Sequence, residues 1–238
     1  MTSASQLTAT ASQALAAAGH GDMVWGHVSV RDPEARGIWI KAPGWGLEEV
    51  TEDRVQLVSF DAEVLEGEGS PHLECHIHLE IMRARADVQC VVHTHAQPAT
   101  AFAALDTPLL PISHDAAIFA GRDAPRFTET GRLVKTPQLG RALAHTLGRS
   151  PAALMPSHGL VAAGPTVPSA VMYAVLLDRA CRDQLTAMAA GPITRYSDRA
   201  EAEAKQAECW PESQLAAGWN YLTRRAGPAQ PELDLTAS

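Results

Sequence analysis

The main fold signal of this chain is the sequence Val88-Gln89-Cys90-Val91-Val92-His93-Thr94-His95. The β-branched run over residues 88–93 predicts a buried strand with two histidines at its end. Because side chains alternate along a strand, His93 and His95 point in the same direction, with backbones about 6.6 Å apart. Two imidazoles in this arrangement can converge on one metal ion, although a pair of this kind also arises by chance.

Helical and strand patterns alternate on both sides of this stretch. The predicted strands cover residues 27–31, 37–41, 55–60, 64–65, 88–93, 153–155 and 160–163. The predicted helices cover residues 8–18, 74–85, 96–105, 137–147, 166–189, 199–209 and 212–225. This interleaving predicts an α/β or α+β fold in which helices cover both faces of one sheet. No repeat or linker divides the chain, so we expect a single domain over residues 1–238, with residues 228–238 as a flexible tail.

Composition narrows the possible partners. The 19 basic and 27 acidic residues give a net charge of 19 − 27 = −8, which disfavours a nucleic acid or an anionic membrane as a partner. The longest apolar run, residues 170–177, is far shorter than the roughly 20 residues that cross a bilayer. No basic residue precedes the first apolar stretch, as it would in a signal peptide. We therefore expect a cytoplasmic protein that acts on a small molecule.

Two further residues could complete a metal site. His158 lies in the predicted turn Ser157-His158-Gly159, where it could be a third ligand or could simply cap the turn. Glu74 opens a predicted helix, on which His78 would share its face one turn later. Glu74 could be a fourth ligand or an acid/base group beside the metal. Three neutral imidazoles and an open position are typical of a catalytic ion.

The predicted substrate-binding residues are His27, Ser29, Arg31, His72 and His114. Arg31 could pair with a substrate carboxylate or could hold the early loops by hydrogen bonds. His72 stands at a helix start, where histidines are commonly solvated. His114 belongs to a Ser-His-Asp run, but consecutive residues do not face one another as a catalytic triad requires. We therefore expect His114 to line the pocket.

Several motifs together resemble the class II aldolase/adducin family over residues 7–188. They are Gly26-His27-Val28-Ser29-Val30-Arg31, Glu74-x-x-x-His78, Arg83-x-Arg85-x-Asp87-Val88, Val91-Val92-His93-Thr94-His95 and Ser157-His158-Gly159. The resemblance implies a three-layer α/β/α fold with a central, mostly antiparallel sheet, and a homotetramer with active sites at subunit interfaces. It also implies that His93, His95 and His158 bind zinc, or sometimes manganese or cobalt, and that Glu74 is the catalytic carboxylate.

The chain departs from that family where sugar-phosphate members hold the phosphate. His72 and Leu73 replace two serines, and His27 replaces an asparagine. An apolar Leu73 cannot donate to a phosphate oxygen. The resulting pattern resembles a branch that includes decarboxylases of hydroxylated aromatic or pyridine carboxylates.

Three functional hypotheses follow. The first is a metal-dependent carbon–carbon lyase that decarboxylates a hydroxylated aromatic or heteroaromatic acid. The second is an aldolase acting on an unphosphorylated, sugar-like hydroxy-carbonyl compound. The third is a non-catalytic, adducin-like scaffold, which would have no need of three histidines together with Glu74.

Overall fold

The computed structural model describes residues 2–119 and 123–227, and the described part contains one seven-stranded sheet. Its strands are β1 (His27–Arg31), β2 (Gly37–Lys41), β3 (Val55–Ser59), β4 (Val64–Glu66), β5 (Cys90–Thr94), β6 (Ala152–Met155) and β7 (Gly159–Gly164). The strand order is β4-β3-β2-β1-β5-β7-β6, and every neighbouring pair is antiparallel. The antiparallel sheet implied by the resemblance is therefore confirmed.

Eight α-helices surround this sheet in the described ranges. They are α1 (Ala4–Leu15), α2 (Cys75–Ala84), α3 (Gln97–Ala103), α4 (His114–Ala117), α5 (Pro137–Leu147), α6 (Val167–Ala190), α7 (Arg199–Cys209) and α8 (Glu212–Ala226). Hydroxyl caps fix the starts of α5 and α6, where Thr136 accepts from the Leu139 N–H and Thr166 accepts from the Ser169 N–H. The four-residue helix α4 was not predicted.

The helices form a layer on each face of the sheet. Alternate residues of one strand enter opposite cores, since Val92 packs with the α1, α3, α6 and α8 side whereas Val91 packs with the α2 and α5 side. This confirms the three-layer α/β/α architecture. His93 is two residues after Val91, so its side chain points toward the α2 layer.

The N-terminal helix differs from its predicted form. It begins at Ala4, where Ser3 caps it, and continues into a five-residue π-helical turn, Ala16–His20. Gly19 breaks the helical geometry inside this turn with φ +89°, a conformation that favours glycine. The chain then enters the loop that carries Asp22 toward the end of β5.

The strand β5 begins later than its predicted start at residue 88, because the Val88 N–H bonds to the Arg85 carbonyl in a turn (3.2 Å). The predicted tail, residues 228–238, lies outside the described residues. Among the helices of the described ranges, none has both the length and the apolar character needed to cross a bilayer.

Candidate metal centre

Three separate elements bring four candidate ligands together. His93 lies near the end of β5 with His95 just beyond it, His158 lies in the β6–β7 turn, and Glu74 immediately precedes α2. Because β5 pairs with β7, residue His93 is opposite Val161, which places the turn beside the strand end. The ligand atoms of all four residues lie within 4.8 Å of one another.

A glycine allows this close approach of turn and strand. A Cβ atom on Gly159 would lie 2.3 Å from the Thr94 carbonyl oxygen and 3.1 Å from the His95 ring. No side chain fits at such distances, so the turn can contact β5 only with glycine at this position. Ser157, on the other side of His158, has a positive φ of +60°. The tight turn predicted from the sequence is therefore present.

Hydrogen bonds fix the proton positions on His93 and His95. His93 Nδ1 donates to the Leu160 carbonyl (2.8 Å), and His95 Nδ1 donates to Asp22 Oδ2 (2.8 Å). Burial lowers the pKa of His93 well below its usual value, so this ring is neutral. A neutral imidazole with a proton on Nδ1 presents a free lone pair on Nε2, which is the form that binds a metal.

The Nε2 atoms of His93 and His95 face each other at 3.2 Å. When each ring is in its metal-binding form, with a single proton on Nδ1, no proton lies between these atoms and their lone pairs repel. Two nitrogens bound to one tetrahedral zinc at about 2.0–2.1 Å lie about 3.3–3.4 Å apart. The observed spacing therefore suits a shared cation.

His158 also fits a ligand role. Both of its ring nitrogens are buried and have no hydrogen-bond partner in the described part of the chain, while its Nε2 lies 3.5 Å from Glu74 Oε1. Buried polar atoms are rarely left unpaired, because each loses its hydration without compensation. The donor set, three imidazoles and one carboxylate, is one that divalent transition metals prefer.

The Glu74 carboxylate is held by its surroundings in the ionised form. Its Oε1 accepts from the Val134 backbone N–H (2.7 Å), and its Oε2 is 3.9 Å from His93 Nε2. Burial raises the pKa of Glu74, but His158, His93 and the Val134 N–H outweigh this effect and lower it to about 2. The direction of this shift could not be predicted from the sequence.

The predicted pairing of Glu74 with His78 on one helix face is wrong. Glu74 has φ −104° and ψ 24°, so it is the residue before the first helical turn, and the spacing rule for a helix face does not apply to it. Its carboxylate approaches His93 and His158. His78 instead bonds to two residues of β1, Ser29 and His27.

Three of the predicted substrate-binding residues lie together beside the cluster. Ser29 and His27 are fully buried on β1, and His72 is half-buried. The ring centroid of His27 lies 3.9 Å from that of His72 and 5.0 Å from that of His93. The structure therefore brings His27 and His72 next to a candidate metal ligand.

Arg31 has a structural role, which corrects its prediction as a substrate-binding residue. Its guanidinium donates to the carbonyls of Met82 (2.7 Å), Arg85 (3.0 Å) and Val88 (2.9 Å). These bonds tie the end of α2 to β1. Arg31 also stands at the opposite end of β1 from His27, away from the cluster.

His114 is not brought to the cluster within this chain. It is exposed at the start of α4, and its carbonyl accepts from Trp210 Nε1 (2.7 Å). Pocket lining by His114 in its own chain is therefore not supported. The neighbouring Ser113 caps α4 by accepting from the Ala116 N–H.

Sequence patterns did not single out Asp22, Val134 or Lys41. Asp22 and Val134 lie outside the helices and strands, where no periodic signal exists. Lys41 is fully buried at the end of β2 and donates to the carbonyls of Val24 (2.8 Å) and Trp45 (2.5 Å). Burial lowers the pKa of Lys41 to about 8. A lysine in an otherwise apolar strand was the one available signal of an unusual buried cation.

Comparison with protein families matches residues 6–185 to the Class II Aldolase and Adducin N-terminal domain. The chain belongs to this family. Among solved structures, it is similar to an L-fuculose 1-phosphate aldolase from Glaciozyma antarctica PI12, with a TM-score of 0.83 and 26% identity. That match covers 94% of this chain and 88% of the aldolase.

Curated relatives include enzymes named as decarboxylases. The chain is 36% identical over 173 residues to the decarboxylase NovR of Streptomyces niveus, a match that covers 71% of this chain and 64% of NovR. It is 32% identical over 197 residues to the 3,4-dihydroxyphthalate decarboxylase of Terrabacter sp. strain DBF63, covering 78% of this chain and 82% of that enzyme. The chain thus spans somewhat less than two thirds of NovR's length.

Proposed function

We propose that the chain is a divalent-metal-dependent carbon–carbon lyase that decarboxylates a hydroxylated aromatic or heteroaromatic carboxylate. The observation that carries this proposal is the convergence of Glu74 with His93, His95 and His158, whose ligand atoms lie within 4.8 Å of one another. The relatives named as decarboxylases, at 32–36% identity, support the reaction class.

His93, His95 and His158 would hold the ion, with Glu74 as a fourth ligand or as an acid/base group beside it. We propose zinc as the native metal because the donor set is rich in imidazole, with manganese and cobalt as alternatives. When bound, the cation stabilises the negative charge that develops on a substrate oxygen as the carbon–carbon bond breaks.

Glu74 acts first as a base in this proposal, because its carboxylate is ionised at neutral pH. It accepts the proton of the substrate hydroxyl group and returns the same proton to the ring carbon that carries the carboxylate, so that the hydroxyl oxygen becomes a carbonyl oxygen. Carbon dioxide then leaves, and the electron pair of the broken bond delocalises onto that carbonyl oxygen, which restores the aromatic ring. The proton count balances without another acid.

The surroundings of the cluster favour an aromatic substrate over a sugar phosphate. Leu73, which precedes Glu74, is 69% exposed, and Leu133, which precedes Val134, is 46% exposed. Both segments that flank the Glu74 carboxylate thus present apolar side chains. An aromatic ring gains free energy by covering such side chains, whereas they offer no donor to a phosphate. His27 and His72 remain our candidates for substrate contact, whereas the Ser29 hydroxyl is buried and bonds to His78.

An aldolase is the second candidate, supported by the structural similarity to L-fuculose 1-phosphate aldolase. Cleavage by an aldolase would use the same four residues but would release an aldehyde or ketone. The non-catalytic scaffold is the least favoured hypothesis, because it does not account for three imidazoles and a carboxylate whose ligand atoms lie within 4.8 Å of one another.

A direct assay separates these candidates. The purified protein is stripped with a chelator, reloaded with zinc, manganese or cobalt, and incubated with a panel of dihydroxyphthalates and hydroxypyridine carboxylates. We expect metal-dependent release of carbon dioxide and a product that is lighter by its mass. Release of an aldehyde from hydroxy-carbonyl compounds, with no carbon dioxide from any acid, would establish the aldolase. Failure to bind any of the three metals would establish the scaffold.

We also propose a homotetramer, as the family resemblance implies. Exposed apolar side chains such as Met23 (67%) and Trp25 (50%) offer surface that a neighbouring subunit could cover. Light scattering coupled to size exclusion measures the subunit number directly. The cytoplasmic location stays a prediction, and fractionation of the source cells tests it.

A further inference from the structure

A buried chain of hydrogen bonds runs from Ser29 through His78 to His27. Ser29 Oγ lies 2.7 Å from His78 Nδ1, and His78 Nε2 lies 2.6 Å from His27 Nδ1. All three side chains are at most 1% exposed. Ser29 and His27 are two residues apart on β1 and so share its α2-facing side, where His78 of α2 reaches both. The proposed function assigns no role to His78.

Each link of this chain holds one hydrogen atom. Both rings are fully buried and neither bonds to a carboxylate in the described ranges, so both are neutral and carry a single proton. In a neutral imidazole one nitrogen donates and the other accepts. Fixing the direction of one link therefore fixes the direction of the other.

The Ser29 hydroxyl sets that direction. Its Oγ has His78 Nδ1 as its hydrogen-bond partner in the described ranges, and the residue is fully buried. If the hydroxyl did not donate to Nδ1, its hydrogen would be buried without an acceptor, which is costly. When it donates, His78 carries its proton on Nε2 and donates to His27 Nδ1. His27 then carries its own proton on Nε2.

One competing acceptor lies near His78. The Val91 carbonyl can accept from the His78 ring. If it accepted from Nδ1, the proton of His78 would lie on that atom and both links would reverse. However, this carbonyl takes part in the β1–β5 ladder. Val91 is opposite Ser29, and two residues further along β1 the Arg31 N–H donates to the Gln89 carbonyl. By the alternation of an antiparallel ladder, the Val91 carbonyl already accepts the Ser29 N–H. The Ser29 hydroxyl hydrogen has no other acceptor in the described ranges, so its bond to His78 Nδ1 decides the direction of both links.

The hydrogen-bond chain ends at His27 Nε2, an N–H group without an acceptor in the described ranges. His27 Nε2 is buried and has no hydrogen-bond partner in the part of the protein that the structure describes. The His27 ring lies between those of His72 and His93, next to the candidate metal centre. A buried N–H without an acceptor at this place points to a group that arrives with the substrate.

We propose that Ser29 and His78 are positioning residues that keep the hydrogen of His27 on Nε2, and that this N–H donates to an oxygen atom of the bound substrate. The substrate contact rests on the proposed function, whereas the order of protons does not. Because the His27 Nε2–H would then lose its acceptor, the site should bind poorly any substrate analogue that lacks this oxygen atom.

Nitrogen-15 NMR of the histidine-labelled, metal-free protein without substrate tests the proton order. We expect both His27 and His78 to show a protonated Nε2 and a bare Nδ1. Ser29→Ala removes the hydroxyl donor, so the Val91 carbonyl should capture the His78 proton and both rings should switch to a protonated Nδ1. Ser29→Thr keeps a hydroxyl and should keep the wild-type pattern. A protonated Nδ1 on His27 in the wild type, or no switch in Ser29→Ala, would overturn the proposal.

A matched control is Ser12→Ala, which also removes a buried hydroxyl, one that donates to the Thr8 carbonyl within α1 (2.9 Å). It should leave the signals of His27 and His78 unchanged. In kinetic assays, Ser29→Ala should lower kcat/KM about tenfold or more at unchanged metal content, with recovery in Ser29→Thr. Unaltered kcat/KM in Ser29→Ala would refute the substrate contact. If the wild type shows no lyase activity at all, the proposed function fails while the NMR result still stands.

Discussion

The Asp22 carboxylate accepts a hydrogen bond from His95 Nδ1 at 2.8 Å, and it thereby fixes which nitrogen of His95 faces the candidate metal centre. Such a partner orients the ring and raises its basicity. We expect Asp22→Ala to weaken zinc binding about 10- to 100-fold, measured by competition with a chromogenic chelator. Asp61→Ala, at a side chain that is 87% exposed, is the control and should bind zinc normally. Equal affinities in the two variants would show that Asp22 does not act on the metal.

Replacement of Glu74 tests its role as a proton carrier. Glu74→Gln keeps the shape and can still accept from the Val134 N–H, but it cannot take a proton. We expect turnover to fall by at least 10²-fold while bound metal, measured by plasma emission, remains stoichiometric. A variant that retains full turnover would contradict the assignment, and one that loses its metal would show that Glu74 is a necessary ligand.

Removal of the Arg31 guanidinium should affect stability and leave binding unchanged. Arg31→Met deletes three hydrogen bonds to backbone carbonyls near the end of α2. We expect the free energy of unfolding to fall by about 2–4 kcal/mol in urea titrations, with KM and metal affinity unchanged. Arg141→Met, at a side chain that is 59% exposed, should change stability by less than about 0.5 kcal/mol. A higher KM at unaltered stability would instead support binding of a substrate carboxylate by Arg31.

The buried Asp32 should make part of the stability depend on acid pH. Burial raises its pKa, but hydrogen bonds from Arg36 and Trp39 outweigh this effect and lower the pKa below its usual value of 3.8. Because the folded-state pKa is depressed, this stabilisation is present above the unfolded-state pKa and is lost as the pH falls through the folded-state pKa. We expect Asp32→Asn to lose about 1–3 kcal/mol at neutral pH.

The stability difference between the wild type and Asp32→Asn should then narrow as the pH drops below about 4. Urea unfolding of both proteins over this range measures the effect. A constant difference at all pH values would mean that the charge of Asp32 contributes nothing to folding.

Gly159 should tolerate no side chain. Its Cβ position is 2.3 Å from the Thr94 carbonyl, so Gly159→Ala must push the β6–β7 turn away from β5. We expect a loss of about 1–3 kcal/mol or more in stability, together with weaker zinc binding, because His158 moves with the turn. Gly21→Ala is the control, since its Cβ would make only an ordinary 3.8 Å contact with Glu48. Calorimetry shows the effect on stability, and normal zinc affinity in Gly159→Ala would contradict this account of the turn.

Sequence periodicity predicted the parts of the fold that a repeating pattern controls. The strands β1 and β2 and the helices α5 and α7 have the bounds that were predicted from the sequence. The short helix α4 was missed because four residues are too few for a periodic signal, and packing against α6 and α7 holds it in place.

The candidate site was predictable only in part. The spacing of His93 and His95 on a strand and the turn around His158 were sufficient to propose that the three meet. The contacts of Asp22 and Val134 lie in segments without regular structure, where tertiary packing alone decides which atoms meet. Glu74 and His78 were paired because the sequence does not show whether a residue stands in the first turn of a helix or just before it.

The ligand cluster joins the segment that precedes α2 to the β6–β7 hairpin, two parts of the chain that are far apart in sequence. An ion held by both would cross-link the polypeptide much as a disulfide does, and its binding energy would add to the resistance of the protein to heat. In a cell that lacks this metal, the protein would then unfold and be degraded, so the amount of enzyme would fall as well as its activity.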